Sequence, residues 1–213
     1  LAAWLAGQKI RTRPFASPAP DHRELILVGN GGGDVTAFRE LASRMASGST
    51  VVFLSPAVFA RGTNSLGFLP PATKGTPAST DFAGGYYRGD TFAPRHPVFA
   101  GLPSGGILDY TFYRNVITQG GNGVTGLPVP DDLIVAGIRA QFSYSSVLQT
   151  AAYRFGTGRF IFNTLRITEN LGSDPVAERL LRNLINYAAP DLAKPPVALP
   201  ADFDQQLKAI GYE

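Results

Sequence analysis

The sequence predicts an α/β fold of three layers built on a mainly parallel sheet. Three observations lead there: a strand–helix–strand unit in residues 25–54, a hairpin around Gly156-Thr157-Gly158, and an amphipathic helix opening at Asp174-Pro175. A strand, a helix and a second strand within about thirty residues make a βαβ unit, which joins parallel neighbours through a right-handed crossover.

In chain order, residues 1–7 read as the end of a helix, with Leu1, Trp4 and Leu5 on one face and Gly7 as the stop. Residues 9–15 alternate enough for a short strand, and Pro14, Pro18 and Pro20 then force a loop. The run Leu25-Ile26-Leu27-Val28 is a buried-type strand that ends at Gly29-Asn30-Gly31-Gly32-Gly33. Asp34 is placed to cap a helix over residues 35–46, whose Val35, Phe38, Leu41, Ala42 and Met45 recur at helical spacing. Residues 50–54 form a second buried strand, stopped by Ser55-Pro56. From residue 60 to about 130 the chain reads as a Gly/Pro-rich insertion, because Pro70-Pro71, Pro77, Gly84-Gly85, Pro94, Pro97 and Pro103 break every periodic stretch. Strands are predicted at 109–117 and 133–137, then at 149–155 and 159–163 as a hairpin. Asp174 and Pro175 open a helix with an apolar stripe of Val176, Leu180, Leu181, Leu184 and Ile185, which Pro190 ends. One α/β domain over 1–189 is expected, followed by a Pro-rich tail over 190–213 with a short helix at 202–210.

Composition removes several chemistries. The 213 residues include no Cys, so disulfides, thiolate metal sites and cysteine nucleophiles are absent. Two histidines, His22 and His96, leave a zinc centre dependent on carboxylates, and neither a metal nor a cofactor is expected. Lys and Arg number 19 against 16 Asp and Glu, with no basic run, which does not suggest nucleic acid as a partner. Apolar runs are strand-sized, so no membrane span is expected. The opening Leu-Ala-Ala-Trp lacks Met and a basic leader, and reads as an excised part of something longer.

The remaining candidates are few. The Gly29–Gly33 loop sits where a phosphate cradle would, yet lacks Lys-Ser/Thr, and Asp34 puts negative charge at the anion position. No Gly-x-Ser-x-Gly elbow occurs. His96, Asp109 and Glu169 are the candidates for acid–base work, beside simpler readings as loop and turn residues. Asp174 reads as a cap and Asp131-Asp132 as a solvated turn. Tyr86-Tyr87-Arg88 and the stretch Asp109-Tyr110-Thr111-Phe112-Tyr113-Arg114 interleave aromatics with polar groups, as a sugar-stacking surface does, and local core would use them equally. In open α/β sheets ligands bind beyond the carboxyl ends of the strands, where Asn30, Gly31, Ser55, Arg139, Asn163, Thr164 and Arg166 are expected.

The stretch from Leu25 to Ala46 followed by Gly48-Ser-Thr-Val-Val-Phe-Leu54 resembles the class I glutamine amidotransferase-like, flavodoxin-like fold. The segments His96-Pro-Val-Phe-Ala-Gly-Leu-Pro103, Phe155-Gly-Thr-Gly-Arg-Phe-Ile-Phe-Asn163 and Asp174-Pro-Val-Ala-Glu-Arg-Leu-Leu-Arg-Asn-Leu184 look like its non-catalytic branch. Domains of that branch are appended to bacterial glycoside hydrolases and are similar to the β-galactosidase trimerisation domain. The chain lacks the Cys nucleophile and any downstream His-x-Glu, so glutaminase chemistry is excluded. The resemblance implies an accessory domain of a carbohydrate-active enzyme, not itself catalytic, that supplies oligomer contacts or part of a sugar site. The interleaved aromatics make Tyr86, Tyr87 and Tyr113 the candidates to line such a site. The expected partners are a carbohydrate, a neighbouring domain of a larger chain, or further copies of this one. The alternative is a stand-alone ester or glycoside hydrolase built near His96, Asp109 and Glu169.

Overall fold

The computed structural model describes residues 1–15, 20–29, 31, 33–79, 89–117, 122–140 and 144–213. The chain opens with α1 (Ala2–Gly7), β1 (Leu25–Val28), α2 (Val35–Ala46) and β2 (Thr50–Phe53). It continues through β3 (Thr76–Ala78), β4 (Gly89–Ala93), β5 (Gly106–Ile107), α3 (Tyr110–Tyr113) and β6 (Gly123–Thr125). The last part holds β7 (Asp132–Ala140), β8 (Tyr144–Phe155), β9 (Gly158–Asn163), α4 (Pro175–Ala188) and α5 (Phe203–Ala209). Among the described residues the strands form one nine-stranded sheet with the path β1-β2-β9-β8-β7-β4-β5, and β6 pairs with both β3 and β8.

This architecture overturns the expected three-layer, mainly parallel flavodoxin-like fold. Only β1–β2 and β2–β9 are parallel, and the other pairings are antiparallel. The βαβ unit at residues 25–53 is present, but it governs one end of the sheet alone. The long strands β7 and β8, 9 and 12 residues, pair antiparallel and fill the centre. Nor are residues 60–130 an insertion, because they supply β3 to β6, and β4 extends the main sheet beside β7. Pro and Gly permit short edge strands as well as loops, so their density did not distinguish the two.

Two local expectations also change. Lys9 closes a turn after α1 with φ +60°, and residues 10–15 follow with no regular structure and pair with no strand of the sheet. Residues 109–117 hold the helix α3, because the Asp109 carboxylate accepts the Thr111 N–H at 2.9 Å and starts a turn where a strand would need an open backbone.

Capping fixes the two long helices. Asp34 accepts the Ala37 N–H at 2.8 Å to start α2, and Asp174 accepts the Val176 N–H at 2.8 Å with Pro175 behind it to start α4. Each face of the sheet is covered by one of these helices and irregular chain. On one face Phe38, Leu41 and Met45 of α2 pack on Val51, Phe53 and Phe160, with Phe203, Leu207 and Tyr212 from the C-terminal segment. Phe38 and Phe68 stack there at 4.3 Å. On the other face Leu180, Leu181 and Leu184 of α4 meet Val52, Ile134 and Ile161. The C-terminal segment is thus part of the core.

Candidate functional site

The carboxyl ends of the parallel strands carry Ser55 and Asn163, and both are spent on the fold. Ser55 caps the turn after β2 by accepting the Ala57 N–H at 3.3 Å. Asn163 is fully buried, donates to the carbonyls of Leu54 (3.2 Å) and Leu165 (2.8 Å), and accepts from the Thr150 hydroxyl at 2.9 Å. It ties the ends of β2 and β9 to the middle of β8, and its side chain has no donor left to face a ligand. Gly31 is exposed with open space around it. Thr164 gives its hydroxyl hydrogen to the Asn122 carbonyl at 2.6 Å. Arg166 is exposed, its backbone N–H bonded to Val116. Arg139 stands on β7 opposite Gly89 and Ser145, three strands from β2 along the sheet. Asn30, Tyr86 and Tyr87 lie outside the described residues.

Of the acid–base candidates, His96 has the most developed surroundings. Its Nδ1 accepts the Val98 N–H at 3.2 Å, capping a short 3-10 turn. That bond requires an unprotonated Nδ1, so Nε2 carries the hydrogen and donates to Asp132 Oδ2 at 3.0 Å. The Tyr187 hydroxyl donates to the same oxygen at 2.6 Å, and its ring lies edge-on to the imidazole at 4.7 Å. The Arg159 guanidinium covers the other part of this cluster, 4.6 Å from the Tyr187 ring centre. Burial by itself would raise the Asp132 carboxyl. The hydrogen bonds from Tyr187 and His96, with the Arg159 charge, overcome that and hold it below the usual carboxylate range. Burial and the Asp132 contact push the Tyr187 hydroxyl up to about 12.

Chemically this cluster is a pin and not a catalytic dyad. A general base must offer a free lone pair to the substrate proton, and both nitrogens of His96 are engaged within the protein. Asp109 is exposed and caps α3 through one carboxylate oxygen, Oδ1. Among the described residues Glu169 is reached only by the hydroxyl of its neighbour Thr168, at 3.0 Å. Among the described residues no hydrogen bond or ion pair joins any two of His96, Asp109 and Glu169. No group of three or more acids and histidines among them is placed to hold a metal ion.

Sequence reasoning missed Asp132 and Tyr187 as partners of His96. The signal available was local only: Asp132 follows Pro130-Asp131, a pattern typical of a solvated turn, and Tyr187 sits 55 positions away. The aromatic candidates also sort differently. Tyr113 uses its hydroxyl to accept the Thr91 N–H at 3.0 Å, whereas Tyr110, which opens α3, is 76% exposed, as is Ile107 of β5 at 68%. Among the described residues two buried polar atoms, Thr91 Oγ1 and Gln149 Oε1, have no hydrogen-bond partner, and both belong to strands flanking β7. A cavity of 620 Å³ lies at the opposite edge of the sheet, along β1.

A comparison with curated proteins finds no match. Residues 32–209 match a protein family described as a domain of unknown function (DUF8487), and with most of its length so covered, this chain belongs to that family.

Proposed function

We propose that the chain is a non-catalytic accessory module of a carbohydrate-active enzyme, acting through contacts with a neighbouring domain or further copies and through a surface that meets sugar. The observation that carries the non-catalytic half is the commitment of His96: Val98 and Asp132 take both ring nitrogens. The carbohydrate half rests on the resemblance of residues 96–103, 155–163 and 174–184 to the domains appended to glycoside hydrolases. Tyr110 supports it, because a flat aromatic ring that is 76% exposed offers a stacking face for a sugar ring, with the Asp109 carboxylate beside it in the chain.

Thermal shift against a panel of mono- and oligosaccharides, read with the mass by light scattering, tests the reading. A ligand that binds only the folded form raises the melting temperature with the logarithm of its concentration above Kd. A dose-dependent shift lost in Tyr110→Ala supports the sugar surface, and a defined dimer or trimer supports the contact role. Turnover of a chromogenic glycoside or ester that survives in a His96→Ala, Asp109→Ala double variant would show a catalytic centre elsewhere and end the non-catalytic reading.

A further inference from the structure

We propose that the free edge of β1 is a docking groove for an extended peptide segment, apolar along its length and flanked by carboxylates, which adds to the nine-stranded sheet as a further strand. The inference deepens the assembly half of the reading above and rests on it, because it names the surface through which the module holds its neighbour.

The main-chain register leaves the edge open. Thr50 donates its N–H to the Glu24 carbonyl and Leu54 donates to the Val28 carbonyl, each at 2.9 Å. In a parallel ladder alternate residues of a strand bond to the same neighbour. Glu24, Ile26 and Val28 therefore turn their main chain toward β2, and Leu25 and Leu27 turn theirs outward. The N–H and C=O groups of Leu25 and Leu27 meet no hydrogen-bond partner among the described residues. Residues 10–15 pass alongside, yet none of them makes a ladder bond to β1. Unpaired edge groups of this kind are a template for another strand.

The space beside β1 has about the volume of one short strand. The cavity holds 620 Å³ and is lined by Leu25, Ile26 and Leu27 at its floor, with Leu5, Ile10 and Ile185 among its walls. A strand of four residues, the length of β1, is ~13 Å long, ~4.8 Å wide in the sheet direction and ~10 Å deep, or roughly 600 Å³. The apolar walls call for apolar side chains on the incoming segment, since a strand covered on both faces reads as continuous hydrophobic residues.

Charge selects the flanks of that segment and disfavours a second copy. Arg11, Arg13 and Arg23 line the groove, and among the described residues Glu24 is the only carboxylate doing so. Glu24 is already paired with Arg13 and with the buried Arg44. Arg11 is exposed and has no acid within ion-pair reach among the described residues. Two copies meeting edge to edge would bring these guanidinium groups together, whereas carboxylates on either side of an apolar strand would meet them favourably. This is strand addition in which main-chain bonds give affinity and side chains give selectivity.

The test uses the whole chain and a fluorescein-labelled heptapeptide, Asp-Val-Ile-Val-Leu-Val-Glu. A second peptide has Lys in place of both acids, and a third is N-methylated at alternate residues. Anisotropy reads binding, and amide hydrogen exchange by NMR reads the edge. The expected result is saturable binding of the first peptide in roughly the 10–100 μM range, with exchange at Leu25 and Leu27 slowed about tenfold or more. Binding should weaken about threefold in Arg11→Glu and by more with the Lys peptide, and it should vanish with the N-methylated one. Three results would each overturn the proposal: no saturable binding, binding without protection of Leu25 and Leu27, or protection that rises with protein concentration alone, which would mark a second copy as the occupant. Glycoside turnover by the isolated chain would end the accessory reading and leave the exchange result standing, so the two failures are separable.

Discussion

His96 Nε2 donates to Asp132 Oδ2 across 3.0 Å and 36 positions of sequence. The bond joins the start of β7 to the loop after β4, and Tyr187 adds the end of α4 to the same oxygen. Its role is therefore to lock three segments that approach from different parts of the chain. The imidazole is nearly enclosed, with 7% of its side chain exposed. Truncation would leave the Val98 N–H and one lobe of Asp132 without their partner, which costs about 1–3 kcal/mol when the orphaned group is buried. His96→Ala is expected to lower the urea midpoint by that amount at an unchanged slope, and Tyr187→Phe by about 1 kcal/mol. A His96→Ala protein as stable as the parent would show that the cluster is not a structural pin.

Acid should unfold the protein partly through two carboxylates. Asp132 is held low by Tyr187, His96 and Arg159 against its burial. Burial likewise opposes Asp174, and its bonds from Asn115 at 2.7 Å and from Val176, with the Arg114 charge nearby, still lower it. A carboxylate that titrates lower in the folded state than in the unfolded one stabilises the fold above its unfolded value, about 3.9, and that contribution disappears as pH falls through the folded value. Stability should therefore drop as pH goes below about 4. The Asp174→Asn variant should start less stable at pH 7 and show a shallower acid loss. Parallel acid profiles for the two proteins would contradict this assignment.

How much of this could be read in the sequence depends on how local the cause is. Asp34, Asp174 and Pro175 act within one turn of helix, and α2 and α4 lie where those residues and their apolar stripes place them. The strand pair around Gly156 and Gly158 is similarly local. Sheet direction is not local. The apolar runs at residues 25–28 and 50–53 do pair in parallel, but nothing in them announces that β9 would join them while β8 and β7 turn back. Asp109 illustrates the same limit from the other side: its side chain competes for its own backbone and makes a helix of a β-rich stretch. The candidate site fared by the same rule. The local half of the His96 environment, the bond to Val98, was foreseeable, and Asp132 and Tyr187 were not.

Alkaline conditions should reveal Lys74. Its Nζ donates to the carbonyls of Leu69 at 2.5 Å and Ile210 at 2.7 Å, holding the C-terminal segment against the core. Burial, with Arg61 nearby, pulls its pKa down from 10.5 to about 8. Between these two values the unfolded chain binds more protons than the folded one, so stability rises with pH through that window. Above about 10 the trend should reverse, because Tyr153, Tyr187 and Tyr212 resist ionisation in the fold and ionise freely once unfolded. Melting temperature measured from pH 7.5 to 11 should pass through a maximum. The rising limb should be absent in Lys74→Met, and a rise of equal size in that variant would assign it to another group.

The turn joining β8 to β9 makes the sharpest steric prediction. Thr157 donates its N–H (3.1 Å) and its hydroxyl hydrogen (2.8 Å) to the Ala46 carbonyl, so the turn closes the C-terminal end of α2. That closeness leaves no room for a side chain at Gly158, where an added Cβ would overlap the carbonyl oxygens of Met45 and Ser49. The Met45 carbonyl belongs to the last turn of α2, whose Met45 side chain is buried in the core, and the Ser49 carbonyl precedes β2 and accepts the Arg159 N–H at 3.3 Å, so neither swings aside. Gly156 adds a second constraint, since its φ of +59° suits glycine and a Cβ there would also press on Ala46. Gly158→Ala should cost about 2–4 kcal/mol, in the range of core overpacking and strained-backbone substitutions. Gly7→Ala is the matched control: nothing lies within 4 Å of its Cβ position, and helix propensity predicts a change between zero and a gain of about 1 kcal/mol. Equal stability of the two variants would mean that the turn gives way, and that α2 is held by its apolar face alone.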